Sequence, residues 1–129
     1  MGGRDWDRSS VDWSKVNTIF VFGSNRQGRH GKGAALTAKR EWGAEQGVGY
    51  GRTGNAYAIP TKELRRDFPA VTLPDIAYQA GLFAVYAAQH PELTFILTKV
   101  GCGLAGFKED DIKPFFKLLP PNVRKPEGW

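Results

Sequence analysis

The sequence predicts an α/β fold, a three-layer sandwich around a mixed, partly parallel sheet. Three observations carry that expectation. Apolar, β-rich runs alternate with helix-forming stretches, and two of those runs end in glycine-rich loops that lead into helices. At 129 residues, 41% hydrophobic and 24% charged, the chain is long enough to bury one core and too short for two. A single domain over 1–129 is therefore expected, with 1–16 left as an N-terminal segment assigned to no element.

The first strand is expected in "NTIFVFG", from about Thr18 to Phe22, where β-branched and aromatic residues run together and stop at a glycine. "SNRQGRHGKG" follows as loop. From Ala34 to Trp42 the stretch "AALTAKREW" is rich in helix formers, with Ala35, Ala38 and Trp42 on one face and Gly43 closing it. Residues 47–55 read as loop, and "AYAIPT" as a short strand ended by Pro60. "KELRRDFPAVT" is polar, breaks at Pro69 and reads as an excursion over the surface.

A long helix is expected from Pro74 or Asp75 to Gln89, since Ile76, Ala80, Phe83, Ala84 and Ala87 recur at helical spacing and Pro91 stops it. "LTFILTKV", Leu93 to Val100, is nearly continuous in apolar residues and reads as a central strand covered on both faces. "GCGLAGF" is loop. "KEDDIKPFFKLLP" reads as a final helix with Asp110 or Asp111 near its start, suiting the helix dipole, and Pro114 in its first turn. A short strand at Asn122 to Arg124 closes the chain. In such a sheet ligands bind beyond the carboxyl ends of the strands, where the loops after Phe22, Pro60 and Val100 gather.

Composition narrows the function classes. No apolar run approaches the roughly 18 residues of a membrane span, and "MGGRDWDRSSVDW" lacks a signal peptide's apolar segment, so a cytoplasmic chain without a membrane partner is expected. Cys102 is the single cysteine, and with His30 and His90 it makes neither a disulfide framework nor a zinc site; no metal and no cofactor are implied. The formal charge of +5 favours anionic partners. Arg26, Arg29, His30 and Lys32 cluster among glycines and read as a site, whereas Arg124 and Lys125 read as a solvated tail.

Two stretches match the dinucleotide pattern G-x-G-x-x-G, at Gly49 to Gly54 and at Gly101 to Gly106. That fingerprint must follow a strand, open a helix and be followed some 20 residues later by an acidic residue. The first match precedes a strand and reads as a turn. The second follows a strand and leads toward a helix, but too late in the chain for the remaining strands of a dinucleotide fold. Its glycines still let a backbone approach a ligand, so it is a phosphate-loop candidate, with a tight turn around a buried Cys102 as the alternative. "GSNRQGRHGKG" has the same logic with cations added, and two such loops at one sheet end could hold a diphosphate from each side. A solvated basic loop is the alternative there.

The order "FVFGSN", "GRHGKGAAL", "AYAIPTK", "FILTKVGCGLAGF", spanning about Ile19 to Phe116, resembles the macro domain, including short phage-type relatives. The resemblance implies a cleft for ADP-ribose or a related nucleotide, with an ADP-ribosylated protein or nucleic acid as the larger partner. It implies contacts from Gly23, Ser24, Asn25, Gly31, Lys32, Gly33 and Ala34 on one wall and from Gly101, Cys102, Gly103, Leu104, Ala105, Gly106 and Phe107 on the other. Asn25 matches the asparagine at the distal ribose. "AIPTK" with "GCGL" is closest to the branch of terminal ADP-ribose protein glycohydrolase and the DNA ADP-ribosyl glycohydrolases. That branch implies Thr61 beside the ligand and Lys62 as a nucleophile, which needs burial or a neighbouring cation to be neutral. The branch's aspartate after "GCGL" is Ala105 here, and Asp110 or Asp111 is the candidate substitute. Asp12 is the candidate contact for the adenine amino group.

A second function class stays open: a basic nucleic-acid-binding module without catalysis, using Arg26, Arg29, Lys32, Arg52, Arg65 and Arg66, with Tyr50, Trp42 or Tyr57 to stack on bases. Trp42 and Tyr57 read rather as core. Cys102 reads as a small buried residue, His30 as a solvated loop side chain and His90 as a cap on the long helix.

Overall fold

The computed structural model describes residues 17–129; the N-terminal segment 1–16, with Asp12, lies outside the described residues. Among these, five strands form one sheet in the order β2-β3-β1-β4-β5. They are β1 (Thr18–Asn25), β2 (Gly51–Thr53), β3 (Ala56–Lys62), β4 (Thr94–Leu97) and β5 (Val123–Arg124). All neighbouring pairs are parallel except β2 with β3. The helices are α1 (Gly33–Glu41), α2 (Leu73–Ala88) and α3 (Glu109–Ile112), the last followed by a 3-10 turn over Lys113–Phe116.

Alternation along the strands makes the three layers. Ile19 and Val21 of β1, Tyr57 and Ile59 of β3 and Phe95 and Leu97 of β4 pack with Ile76, Ala80 and Phe83 of α2 and with Ile112 and Phe116. Phe83 is the hub, its ring 5.2 Å from Tyr57 and 5.4 Å from Phe95, both edge-on. The alternate residues Phe22, Ala56 and Ala58 meet Ala35 and Ala38 of α1 on the opposite face. Small residues on both sides let α1 lie close to the sheet. α2 is the long helix the spacing predicts, opened by a capping box between Thr72 and Asp75. His90 Nδ1 meets the Tyr86 carbonyl at 2.7 Å at its far end, as a cap should.

Several boundaries differ from expectation, each for a physical reason. β1 runs three residues past Phe22, because Gly23, Ser24 and Asn25 stay paired to β3 with a bulge between Ser24 and Asn25. Pro60 sits inside β3 rather than ending it. β2 reaches only Ala58 opposite Gly51, so beyond that point β3 is an edge and a missing N–H breaks no ladder. Residues 47–55 hold β2 as well as loop, making the early glycine pattern part of a hairpin. β4 is only four residues, and it is not covered on both faces: Ile96, on the α1 side, is 36% exposed. α3 is one turn, because Pro114 lies beyond its start and cannot donate to the ladder; the chain tightens into the 3-10 turn instead.

The connections place the ligand end. From β1 the chain passes through α1 to β2 and β3 on one side, then through α2 to β4 on the other side of β1. The strand order thus reverses at β1, and the loops after β1 and β4 part there, which is where open α/β sheets bind ligands.

Candidate functional site

A cleft of about 720 Å3 opens at that switch point, within the range of roughly 300–1,000 Å3 typical of small-molecule sites. Its first wall is the end of β1 and the loop into α1: Gly23, Ser24, Asn25, Arg29, Gly31, Lys32, Gly33, Ala34 and Ala35. Its second wall is Thr98, Lys99, Gly101, Cys102, Gly103, Leu104, Ala105 and Glu109, with Thr61, Lys62 and Leu64 contributed by the end of β3. The expected residues thus meet in one place, with three exceptions. Gly106, Phe107 and Asp110 do not line the cleft; Gly106 N–H and Phe107 N–H turn back onto Gly103 and Gly101, and Asp110 pairs outward with Lys113 at 3.4 Å.

The first wall is built by the loop's own bonds. Asn25 Oδ1 accepts from Arg29 N–H at 2.8 Å and its Nδ2 donates to the Arg29 carbonyl at 2.9 Å, closing the loop on itself. The Thr61 hydroxyl donates to the Ser24 carbonyl at 3.1 Å across the bulge. Gly49 lies directly beneath: a Cβ there would come 2.4 Å from the Asn25 carbonyl oxygen, so only glycine fits. The Ser24 hydroxyl donates to the Gly49 carbonyl. The early glycine pattern is thus a support for the cleft and no ligand loop.

His30 corrects the sequence reading most sharply. It is fully buried, not solvated. Its Nε2–H reaches the Glu45 and Val48 carbonyls at 3.0 and 3.1 Å, its backbone N–H donates to Gln46, and its ring sits edge-on to Phe22. Burial pushes its pKa below the ordinary value, against the two carbonyls, with Lys39 adding to the lowering. Among the described residues its Nδ1 is buried without a partner. It fastens the cleft loop to residues 45–48 and touches no ligand space.

Arg26 also leaves the expected basic cluster. It turns away to Glu63 at 3.3 Å, Asp75 at 3.4 Å and the Pro69 carbonyl at 2.8 Å. Glu63, 1% exposed at its side chain, also takes two bonds from the Arg65 guanidinium and one from Gln27. Arg65 first, with Arg26 and Gln27, holds its carboxyl down at about 2. This knot joins the loop after β1 to the loop after β3.

Both walls carry backbone N–H groups without partners among the described residues. α1 has no side-chain cap and no acidic residue in its first turn, and the first of its N–H groups to find a partner is Leu36. Gly33, Ala34 and Ala35 therefore have N–H groups without an acceptor among the described residues, the normal state of a helix start. Opposite them, the N–H groups of Gly103, Leu104 and Ala105 have no acceptor among the described residues. Cys102 is half-buried on this wall, with its thiol pushed up chiefly by burial and then by Glu109, so it is no activated nucleophile.

Lys62 lines the cleft but is exposed, without the burial that a nucleophilic amine requires. Sequence reasoning missed Lys99 and Glu109, which bond to each other at 3.1 Å on the second wall; the carboxylate that lines the cleft is that of Glu109, not Asp110. Among the described residues no cluster of ligating side chains could hold a metal ion, and no helix is long and apolar enough to cross a membrane. Comparison of the chain with family models, with curated proteins and with solved structures finds no match.

Proposed function

We propose that the cleft binds ADP-ribose or a related nucleoside diphosphate derivative, as the macro-domain resemblance implies. The observation that carries this reading is that both walls of the cleft carry backbone N–H groups without partners among the described residues, at Gly33 to Ala35 and at Gly103 to Ala105; in this reading each set meets one half of a diphosphate. Arg29, Lys32 and Lys62 stand around them with no ion pair among the described residues, which adds attraction for a dianion. A helix start contributes about 0.3–1 kcal/mol to anion binding when exposed. The remaining affinity then comes from the cations and the loop opposite.

Binding is favoured over hydrolysis. An exposed Lys62 and an Ala105 where an aspartate would be needed leave the amine unburied and no acid at the expected place. Calorimetric titration with ADP-ribose should give saturable binding without turnover of an ADP-ribosylated peptide or oligonucleotide. Turnover lost in Lys62→Ala would reinstate the hydrolase. Tight oligonucleotide binding with a steep salt slope, and none of ADP-ribose, would replace this reading with a nucleic-acid module. That outcome is disfavoured because Arg26, Arg52 and Arg65 are each engaged within the protein.

A further inference from the structure

The two longer helices meet solvent differently. α1 turns Ala35 and Ala38 to the sheet and leaves Lys39, Arg40 and Glu41 exposed, as an amphipathic helix does. α2 buries Ile76, Ala80, Phe83 and Ala87, yet its outer face carries Tyr78, Leu82 and Val85, exposed by 66%, 43% and 55%. These three recur at i, i+4 and i+7 and so form one stripe on the helix. From Ile76 to Gln89 the chain has no Asp, Glu, Lys or Arg. Asp75, the single charged residue of α2, is engaged by its capping box and by Arg26. An exposed apolar stripe without charges marks an interaction surface. Beside it Gly81 leaves a gap: nothing lies within 4 Å of a Cβ placed there, although a glycine inside a helix weakens it. No contact among the described residues calls for glycine at that position.

The stripe fits a second copy of itself. A two-fold axis crossing two antiparallel α2 helices level with Gly81 and Leu82 sets each Tyr78 against the partner's Val85. It also brings the two Leu82 side chains together on one side and the two Gly81 backbones on the other, where the absence of side chains lets the helices lie close. Parallel pairing would set the two Asp75 carboxylates side by side, whereas antiparallel pairing keeps them at opposite ends. Charge selects the same occupant. The chain carries +5, so two copies repel each other, and on this face they meet without adding like charges or stripping water from an unpaired one. A lipid surface is not matched, because α2 has no Lys or Arg to meet headgroups. We propose that the protein forms an isologous homodimer in which α2 packs antiparallel on α2 of a second copy, with Tyr78 against the partner's Val85 and Gly81 at the crossing point. A single helix face is smaller than the roughly 800 Å2 per partner of a standard interface, so the dimer is reversible, with a dissociation constant on the order of tens of micromolar. None of the residues lining the cleft lies on α2, so both clefts stay open and the pairing is independent of what they bind.

The test is sedimentation velocity on the full chain from about 5 to about 500 μM, a range that brackets that constant. Wild type should pass from monomer toward dimer across it. Val85→Glu, which sets a carboxylate against the partner's Tyr78, should weaken association by about tenfold or more. Gly81→Leu should weaken it likewise, by filling the crossing point. It should also raise the thermal midpoint at the lowest concentration, since leucine is the better helix former and the space around it is open, so the dimer is lost with the fold intact. Arg40→Gln, exposed on α1 in the opposite layer, changes the net charge as Val85→Glu does and should associate like wild type. A wild type that stays monomeric throughout, growth past the dimer, or association unchanged in either α2 variant would overturn the proposal.

Discussion

The two walls of the cleft are made in opposite ways. The first, over residues 23–35, is pinned from below by buried parts: His30 against the 45–48 carbonyls, Gly49 under Asn25, and the Glu63 knot on Arg26 and Gln27. The second, over residues 98–105, is tied mainly by its own turns, and Leu104 at its tip is 66% exposed. One wall is fixed before any ligand arrives, and the other presents backbone donors on a lightly tied loop. Under the proposed reading, the wall tied to the rest of the fold needs less ordering on binding than the loop opposite.

The contrast is broken most directly with glycine substitutions. Gly49→Ala puts a Cβ 2.4 Å from a backbone oxygen that cannot yield, and should cost about 3 kcal/mol in urea unfolding. Gly103→Ala, with nothing within 4 Å of the added carbon, should stay within about 0.5 kcal/mol of wild type. Similar costs at the two positions would remove the distinction between the walls. His30→Ala should cost roughly 2–4 kcal/mol, since it opens a cavity and frees two carbonyls under the first wall.

Acid sharpens the same comparison. The folded protein keeps His30 neutral, while the unfolded chain takes up a proton near the ordinary value of 6.5. Stability should therefore be full above that pH and fall as pH drops below it toward the lowered folded value, and His30→Gln should flatten this part of the profile. Glu63 acts in a lower window: its contribution is present above 4.5 and is lost as pH falls toward about 2. Glu63→Gln should remove that second slope, with a smaller effect at neutral pH than His30→Ala.

How much was legible in the sequence follows the range of the interactions. β1, α2 and both glycine loops declare themselves through neighbours a few residues apart, and Gly23 to Asn25, Gly31 to Ala34 and Gly101 to Ala105 do line one cleft. His30 could not be read, because its partners lie 15 and 18 residues away and a histidine among glycines looks solvated until residues 45–48 fold over it. Arg26 was misread for the same reason, its partners Glu63 and Asp75 being 37 and 49 residues distant. Choosing Glu109 over Asp110 required knowing that the helix is a single turn, which Pro114 signals only once it is placed beyond the first turn. The glycine loops were legible as walls; long-range burial decided which of their side chains line the cleft.

The central claim is that the free N–H groups of the second wall receive a phosphate. Gly103→Glu tests it, since that position has open space around it and the new carboxylate would project without disturbing the fold. Titrating ADP-ribose into wild type and into this variant should give micromolar binding that falls by about a hundredfold or more in the variant, at unchanged thermal stability. Equal binding by both proteins, or none by wild type, would contradict the account.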